Sequence, residues 1–301
     1  MTEKTVIGAI RSQALILLAM LIAAGGCGGG DEPADRGKPQ VFVSLAPLAY
    51  FTKQIAGDHV KVSVLIAPGV NPHTYTPTPR QVVRLSRAGL LLCAGSGFEK
   101  IVSSKLAWGN TQLKIVNVAE GIHVDEDAHG DEHAHEHADH EDRHVWMSPR
   151  IAGTLAERTC KELCILDPAH TDDYRNNLHK LKAALDDLDD RLTKALAPLK
   201  GKTFFVFHPA FGYFAKAYGL IQAAVENEGK SPGPRHRSEL IARAKTAGVK
   251  VIFAQPQFSR QAADIIAKEI GGKVVILDPL AEDYIKNLEH ISEELQKALL
   301  P

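Results

Sequence analysis

The chain has 301 residues, 45% of them hydrophobic and 24% charged, with a formal net charge of −1. That is a globular composition, long enough for one large domain or two ordinary ones. A near-neutral balance without a long basic block argues against nucleic acid as a partner, because binding phosphates needs a concentration of Lys and Arg.

The N-terminus reads as a processing signal. Lys4 and Arg11 accompany a wholly apolar run, Ala14–Ala24. It falls short of the about 20 residues that span a bilayer and fits a secretory signal core. Small residues then lead to Cys27 in AAGGC, similar to a bacterial lipobox, in which the cysteine is acylated and becomes the new N-terminus; Ala24 stands where Leu or Val is usual. The alternative is ordinary cleavage nearby, with Cys27 lost or left free. Residues 1–27 are thus expected to be a signal peptide, with Cys27 as lipidation site and membrane anchor, and residues 28–40 a flexible tether.

From Gln40 onward, short Val/Leu/Ile-rich runs alternate with helical patterns. Strands are expected at Val41–Leu45, Val60–Ile66, Leu90–Ala94 and Leu113–Val118, with helices at Pro47–Ala56, Thr78–Arg87 and Phe98–Ala107 between them. Runs without clean alternation suit parallel sheets covered on both faces. After a polar segment comes a helix near Pro149–Leu166. In LDPAH, Asp167 and Pro168 read as N-cap and first residue of the next helix. That helix carries Tyr174, Leu178, Leu181, Leu185, Leu188, Leu192 and Leu196 on one stripe, in steps of three and four. It would be roughly 40 Å long, enough to run the length of two lobes. The alternation then restarts, with strands at Thr203–Phe207, Leu220–Val225, Lys250–Ala254 and Lys273–Leu277, and helices at Ala210–Tyr218, Arg235–Ala247, Ser259–Ile270 and Leu280–Leu299. The expected fold class is α/β: two lobes with parallel sheets (41–167 and 200–301) joined by one long rigid helix (168–199). Cys93, Cys160 and Cys164 read as buried small apolar residues; the i, i+4 spacing of the last two suits a disulfide poorly and leaves a metal pair open.

The polar segment is HVDEDAHGDEHAHEHADHEDRH, His123–His144. It holds seven of the fourteen histidines and nine carboxylates. Almost nothing in it can enter a core, so it reads as a solvated loop, and imidazole with carboxylate is what zinc prefers.

In open parallel sheets, ligands bind beyond the carboxyl ends of the strands. Four potential metal ligands fall at such places. His73 follows the second strand in APGVNPHTYTPTP, and His144 closes the polar loop in RHVWMSP. His208 follows a strand in FFVFHPAFGYF, and Asp278 another in VVILDPL. Three imidazoles and a carboxylate would fill a tetrahedral zinc site. Each alone has an ordinary reading: a histidine beside proline is more often a loop or core residue, and Asp278 before Pro279 can cap the last helix. His59, His170, His179, His236 and His290 keep that ordinary reading.

At these residues the chain resembles the metal-receptor (solute-binding) proteins of ABC importers for zinc and manganese. NPHTYTPTP, RHVWMSP, HPAFGYFAKAYGL, GVKVIFAQPQFS and LDPL stand in that family's order and approximate spacing. The resemblance covers nearly everything from Val41 to Leu299. It implies two α/β lobes linked by one long helix, with the metal in the cleft. It implies His73, His144 and His208 as ligands, with Asp278 at the fourth ligand of some members; in zinc-specific members that place can be water or a loop carboxylate. It also implies an ABC permease as partner. Gln255, expected to support the ligands from behind, departs from the Glu that many members have before Pro; Arg143 departs from a frequent Pro. Nitrogen at His208 favours zinc over manganese, as does a His/Asp/Glu-rich loop at this place. The loop residues His123, His129, His133, His135, His137 and His140 are expected to be accessory zinc binders. The remaining alternatives are a manganese receptor of the same type, a secreted zinc hydrolase, and a permease-independent zinc buffer or adhesin.

Overall fold

In the computed structural model, residues 37–106, 112–122, 142–226 and 234–300 are described. The expected signal peptide, Cys27, most of the tether and loop residues 123–141 lie outside them. Pro39–Pro301 forms one compact unit; Met1–Lys38 forms another, of which only Gly37 and Lys38 are described.

Two four-stranded parallel sheets carry the fold. The first contains β1 (Gln40–Val43), β2 (Lys61–Val64), β3 (Leu90–Cys93) and β4 (Lys114–Asn117), in the order β2-β1-β3-β4. The second contains β5 (Thr203–Val206), β6 (Ile221–Ala224), β7 (Val251–Ala254) and β8 (Lys273–Ile276), in the order β6-β5-β7-β8. The two lobes thus repeat one topology, and each has a switch point between its two central strands, where the chain turns to opposite sides of the sheet. Strands are shorter than the apolar runs. After β5, for example, Phe207 still bonds back to Phe253 O, but His208 has left the ladder for the cleft.

Around the sheets lie α1 (Ala46–Ala56), α2 (Pro79–Leu85), α3 (Gly97–Leu106), α4 (Pro149–Leu166), α5 (Thr171–Leu196), α6 (Gly212–Tyr218), α7 (Pro234–Thr246), α8 (Arg260–Glu269) and α9 (Tyr284–Leu299). Local chemistry fixes their ends. Thr78 and Gln81 form a reciprocal capping box at α2, with Pro79 in the first turn. Helix α6 stops at Gly219, whose φ of 68° is open to glycine without a Cβ penalty. The last helix starts four residues later than the apolar pattern suggests, with Asp283 as N-cap. Asp278 therefore does not cap it. Its Oδ1 instead accepts from the Leu280 N–H, holding a turn ahead of the helix, and its carbonyl accepts from Asn287 Nδ2.

Helix α5 has 26 residues, about 39 Å at 1.5 Å per residue. Tyr174, Leu181, Leu185, Leu188, Leu192 and Leu196 are buried along its stripe. It packs on α1, α4 and α9, so it touches elements of both lobes. One hydrophobic core follows it. Side chains of the first sheet, of α1, α4 and α5, and of Phe204, Val206, Phe253, Leu288 and Ile291 from the second lobe all belong to it. The alternate residues of β5 and β7, Phe205, Ile252 and Ala254, face the other way into a smaller core under α7 and α8. Polar ties cross the middle: Asp189 of α5 accepts from Arg150 Nε (2.7 Å) and from Tyr218 OH (3.1 Å). Trp146 donates Nε1–H to Pro279 O (2.8 Å), and Tyr284 donates its hydroxyl to Trp146 O (2.6 Å). Cys160 and Cys164 are free thiols with sulfurs 4.0 Å apart.

A core shared in this way predicts one cooperative unfolding transition rather than two. Leu188→Ala, at a fully buried position of α5, is expected to cost about 2–5 kcal/mol. Urea titrations followed by circular dichroism and by tryptophan fluorescence should give one coincident, displaced midpoint. Separate midpoints for the two lobes would contradict the shared core.

Candidate metal centre

Three of the four residues singled out by sequence meet at the carboxyl ends of the strands. One ligand atom each from His73, His144 and His208 lies within 4.8 Å of the others, the one such His/Cys/Asp/Glu group among the described residues. Each is delivered by a different local device.

His73 sits in the 3₁₀ turn Pro72–Thr74 after β2. The Asn71 side chain accepts the His73 backbone N–H at 2.8 Å and caps the turn. Tyr75 OH and Gln81 Nε2 both donate to Leu65 O, stapling this loop to the end of β2. As a whole residue His73 is the most exposed of the three, while its ring packs towards His208 and Phe258.

His144 precedes the buried 3₁₀ turn Val145–Met147. Asp142 Oδ1 accepts both its backbone N–H (2.9 Å) and its Nδ1–H (2.8 Å), which fixes the ring and leaves Nε2 for the cleft. Arg143 donates to Gly95 O at 3.0 Å, tying this segment to the loop after β3.

His208 is buried, 4% exposed. Gln255, just beyond β7, clamps it: Oε1 accepts the His208 N–H (3.0 Å) and Nε2 donates to the His208 carbonyl (3.1 Å). An amide does both jobs, where a carboxylate can only accept. The ring stacks on Phe258 with centroids 4.5 Å apart. Its Nδ1 is hydrogen-bonded to Glu226, a buried carboxylate just after β6. Sequence reasoning missed Glu226, along with the particular role of Asp142 among the nine loop carboxylates.

With Nδ1 engaged, His208 presents Nε2, and it stands 3.3 Å from His73 Nε2. Zinc–nitrogen bonds of about 2.0–2.1 Å at tetrahedral angles place ligand nitrogens about 3.3–3.4 Å apart. The pair is therefore already spaced as one edge of a zinc tetrahedron. Burial, then the neighbouring His208 and His144, pushes His73 down to about 4, against a partial opposing pull from Glu226. Burial, then His144, also holds His208 well below its ordinary value. Both rings are neutral at pH 7, the form that binds metal.

Asp278 is not brought into the group. Its Oδ1 is committed to the Leu280 N–H (2.9 Å) and to Gln257 Nε2 (2.7 Å). The cleft around the histidines, about 180 Å³, is walled by Phe98, Ile101, Trp146, Phe258 and Leu280. That is small for an organic ligand, and its apolar wall strengthens a charge interaction by keeping water out. Gln257 also lines it, and its buried Oε1 has no hydrogen-bond partner among the described residues. The other described histidines lie elsewhere: His59 and His170 stack at 3.7 Å, each beside a carboxylate (Asp173 and Asp167), while His179 and His290 are exposed.

The lowered imidazole values make acid stability depend on these rings. The unfolded chain takes up a proton at His73 near pH 6.5, the folded one only near 4. Stability of the zinc-free protein should therefore fall as pH drops from about 6.5 to 4, with no contribution from this group above 6.5. Thermal melts across pH 7.5–4.5 should give a shallower slope in His73→Gln than in the parent; equal slopes would show that the ring does not titrate as described.

Comparison with known proteins agrees with this geometry. A family model described as zinc-uptake complex component A, periplasmic, matches residues 41–298. The high-affinity zinc uptake system protein ZnuA of Bacillus subtilis is 30% identical over 282 residues, covering 88% of this chain and 87% of its own. The zinc-binding protein AdcA of Streptococcus pyogenes is 30% identical over 261 residues, and the chain spans about half (51%) of that longer protein. A crystal structure of ZnuA superposes with a TM-score of 0.79 at 36% identity, covering 87% of this chain and 99% of that one. The match over nearly the whole described length, together with the repeated α/β lobes on one long helix, establishes that this chain belongs to the ZnuA family of zinc-uptake receptor components.

Proposed function

We propose that this chain is an extracytoplasmic zinc receptor that binds one Zn²⁺ through His73, His144 and His208 and hands it to the membrane subunit of an ABC importer. The observation that carries this reading is the trio of imidazoles itself, with two nitrogens 3.3 Å apart. An all-nitrogen set favours zinc over the harder manganese. Water completes the coordination in this reading, because Asp278 stands outside the histidine group and its Oδ1 is tied into a turn.

An open fourth position is also what a zinc hydrolase needs, but hydrolysis requires a general base beside the bound water. The two carboxylates nearest the rings, Asp142 and Glu226, are each engaged with an imidazole Nδ1. The site therefore suits holding and release rather than catalysis, and we read the protein as a receptor and not an enzyme. Cys27 serves as the lipid anchor, keeping the receptor on the outer face of the cytoplasmic membrane. Residues 1–27 are removed or modified during export, 28–40 form the tether, and the lobes comprise 41–167 and 200–301 around the linking segment 168–199. His123, His129, His133, His135, His137 and His140 bind additional zinc weakly, since a polar segment without a core must be ordered to do so.

Calorimetry with zinc should give one tight equivalent in the parent. His73→Ala, His144→Ala and His208→Ala should each weaken it by more than the about 10–100-fold that accompanies loss of an outer hydrogen-bond partner. Asp278→Ala should leave it within about tenfold of the parent, a smaller loss than that of a direct bond. Unchanged tight binding in any histidine variant would overturn the assignment. Cells relying on the His208→Ala protein should lose uptake of labelled zinc at limiting concentration.

Deleting residues 126–140, which spares Asp142 and His144, should remove weak zinc equivalents and keep the tight one. Loss of the tight equivalent would place one of its ligands in the loop.

A further inference from the structure

We propose that Gly212, in the second lobe, is a positioning residue for His144 in the first, acting through Asp142. The proposal rests on the zinc-receptor reading above and concerns how one of its ligands is aimed.

Gly212 is the first residue of α6. Its φ is not among the positive ones of this chain, so its backbone does not call for glycine. The use of glycine here therefore needs another reason, and the space around it supplies one. A Cβ at this position would stand 2.3 Å from Asp142 Oδ2 and 3.4 Å from its Cγ, with Gln222 Nε2 at 3.8 Å. The first distance is far inside contact, so the Asp142 carboxylate occupies the volume that a methyl group would take.

Asp142 cannot yield without consequence. Its other oxygen, Oδ1, holds both the backbone N–H and the ring Nδ1–H of His144. Rotating Oδ2 away from a methyl at position 212 turns Oδ1 off the imidazole, because the two oxygens move as one rigid plane. On the far side, Gln222 is itself committed, its Oε1 accepting the Phe211 N–H at 2.7 Å. The seat of Asp142 is thus built by the second lobe, while the ring it orients belongs to the first. The aim of the His144 Nε2 lone pair depends on the two lobes being apposed as they are here. His208 differs, since its orienting carboxylate, Glu226, lies in its own lobe.

A double-mutant cycle separates this from a plain packing role. Four proteins are compared: the parent, Gly212→Ala, Asp142→Ala and the double variant. Zinc affinity is measured by competition with a chromophoric chelator, coordination by the visible spectrum of the Co²⁺-substituted protein, and folding by thermal melts without metal. Asp142→Ala should weaken zinc by about 10–100-fold, as expected for loss of a partner behind a ligating histidine. Gly212→Ala should weaken it in the same direction and alter the Co²⁺ bands. In the double variant the alanine at 212 meets no carboxylate, so its affinity and spectrum should match those of Asp142→Ala alone. Gly212→Ala binding like the parent, or its loss multiplying onto that of Asp142→Ala, would overturn the proposal. So would unfolding of both Gly212→Ala and the double variant, since that makes the glycine structural. If the parent lacks a tight zinc equivalent, or His208→Ala retains it, the receptor reading fails, and the proposal with it.

Discussion

Two imidazole nitrogens held 3.3 Å apart without a proton for each is the constraint on which the rest of this molecule depends. With Nδ1 of His208 engaged by Glu226, the Nε2 lone pair of His208 faces His73 Nε2, and without metal the two nitrogens share one proton in a hydrogen bond. A dipositive ion takes the place of that shared proton, and each device around the site keeps the two nitrogens at this spacing until one arrives. Gln255 grips both backbone groups of His208, Phe258 covers its ring, and Asn71 caps the turn that presents His73. The affinity of such a site comes in large part from this preorganisation, which removes the ordering cost that a flexible set of ligands would bear.

The same constraint explains the architecture. Ligands from both lobes can be kept to within a few tenths of an ångström only if the lobes share a frame. Helix α5 provides it, burying one stripe against α1, α4 and α9, with a single core running past it into both sheets. Asp189, Trp146 and Tyr284 add directional bonds close to the cleft, where hydrophobic contacts alone would allow sliding. Two lobes fastened in this way are suited to small rearrangements around the ligand loops rather than wide hinge closure.

The ligands also differ in how tightly they are held. His208 and His144 each have a carboxylate behind the ring, whereas His73 is the more exposed and is fixed mainly through its backbone. A graded set of this kind suits a protein that must both capture an ion and give it up: the two rings backed by carboxylates define the site, and His73 is the natural one to detach first. The neutrality of His73 and His208 at pH 7 comes from the same surroundings, since burial against an apolar wall and neighbouring imidazoles disfavours a positive charge on either ring.

By itself the sequence determined the class of fold and where its chemistry would gather. Strand and helix signals are local: short Val/Leu/Ile-rich runs, the helical pattern from Thr78, and the leucine stripe from Tyr174 to Leu196 all lie within a few residues of what they govern. His73, His144 and His208 were legible because each lies in a segment beyond the carboxyl end of a strand (β2, β4 and β5), and the parallel sheet gathers such segments on one side. What only the tertiary structure decided involves pairs far apart in sequence or choices among similar residues. Glu226 reaches His208 because β5 and β6 are neighbours, a fact about strand order rather than about either residue. Asp142 was one of nine acidic side chains in its loop, and its geometry alone distinguishes it. Asp278 carried the chemistry of a ligand, but a backbone N–H two residues on and the Gln257 amide took its Oδ1. Gly212 is distinguished only by the opposite lobe, which puts a carboxylate where its side chain would be. Periodicity and spacing report what a residue can do; which partner it meets depends on packing between lobes, and no local pattern encodes that.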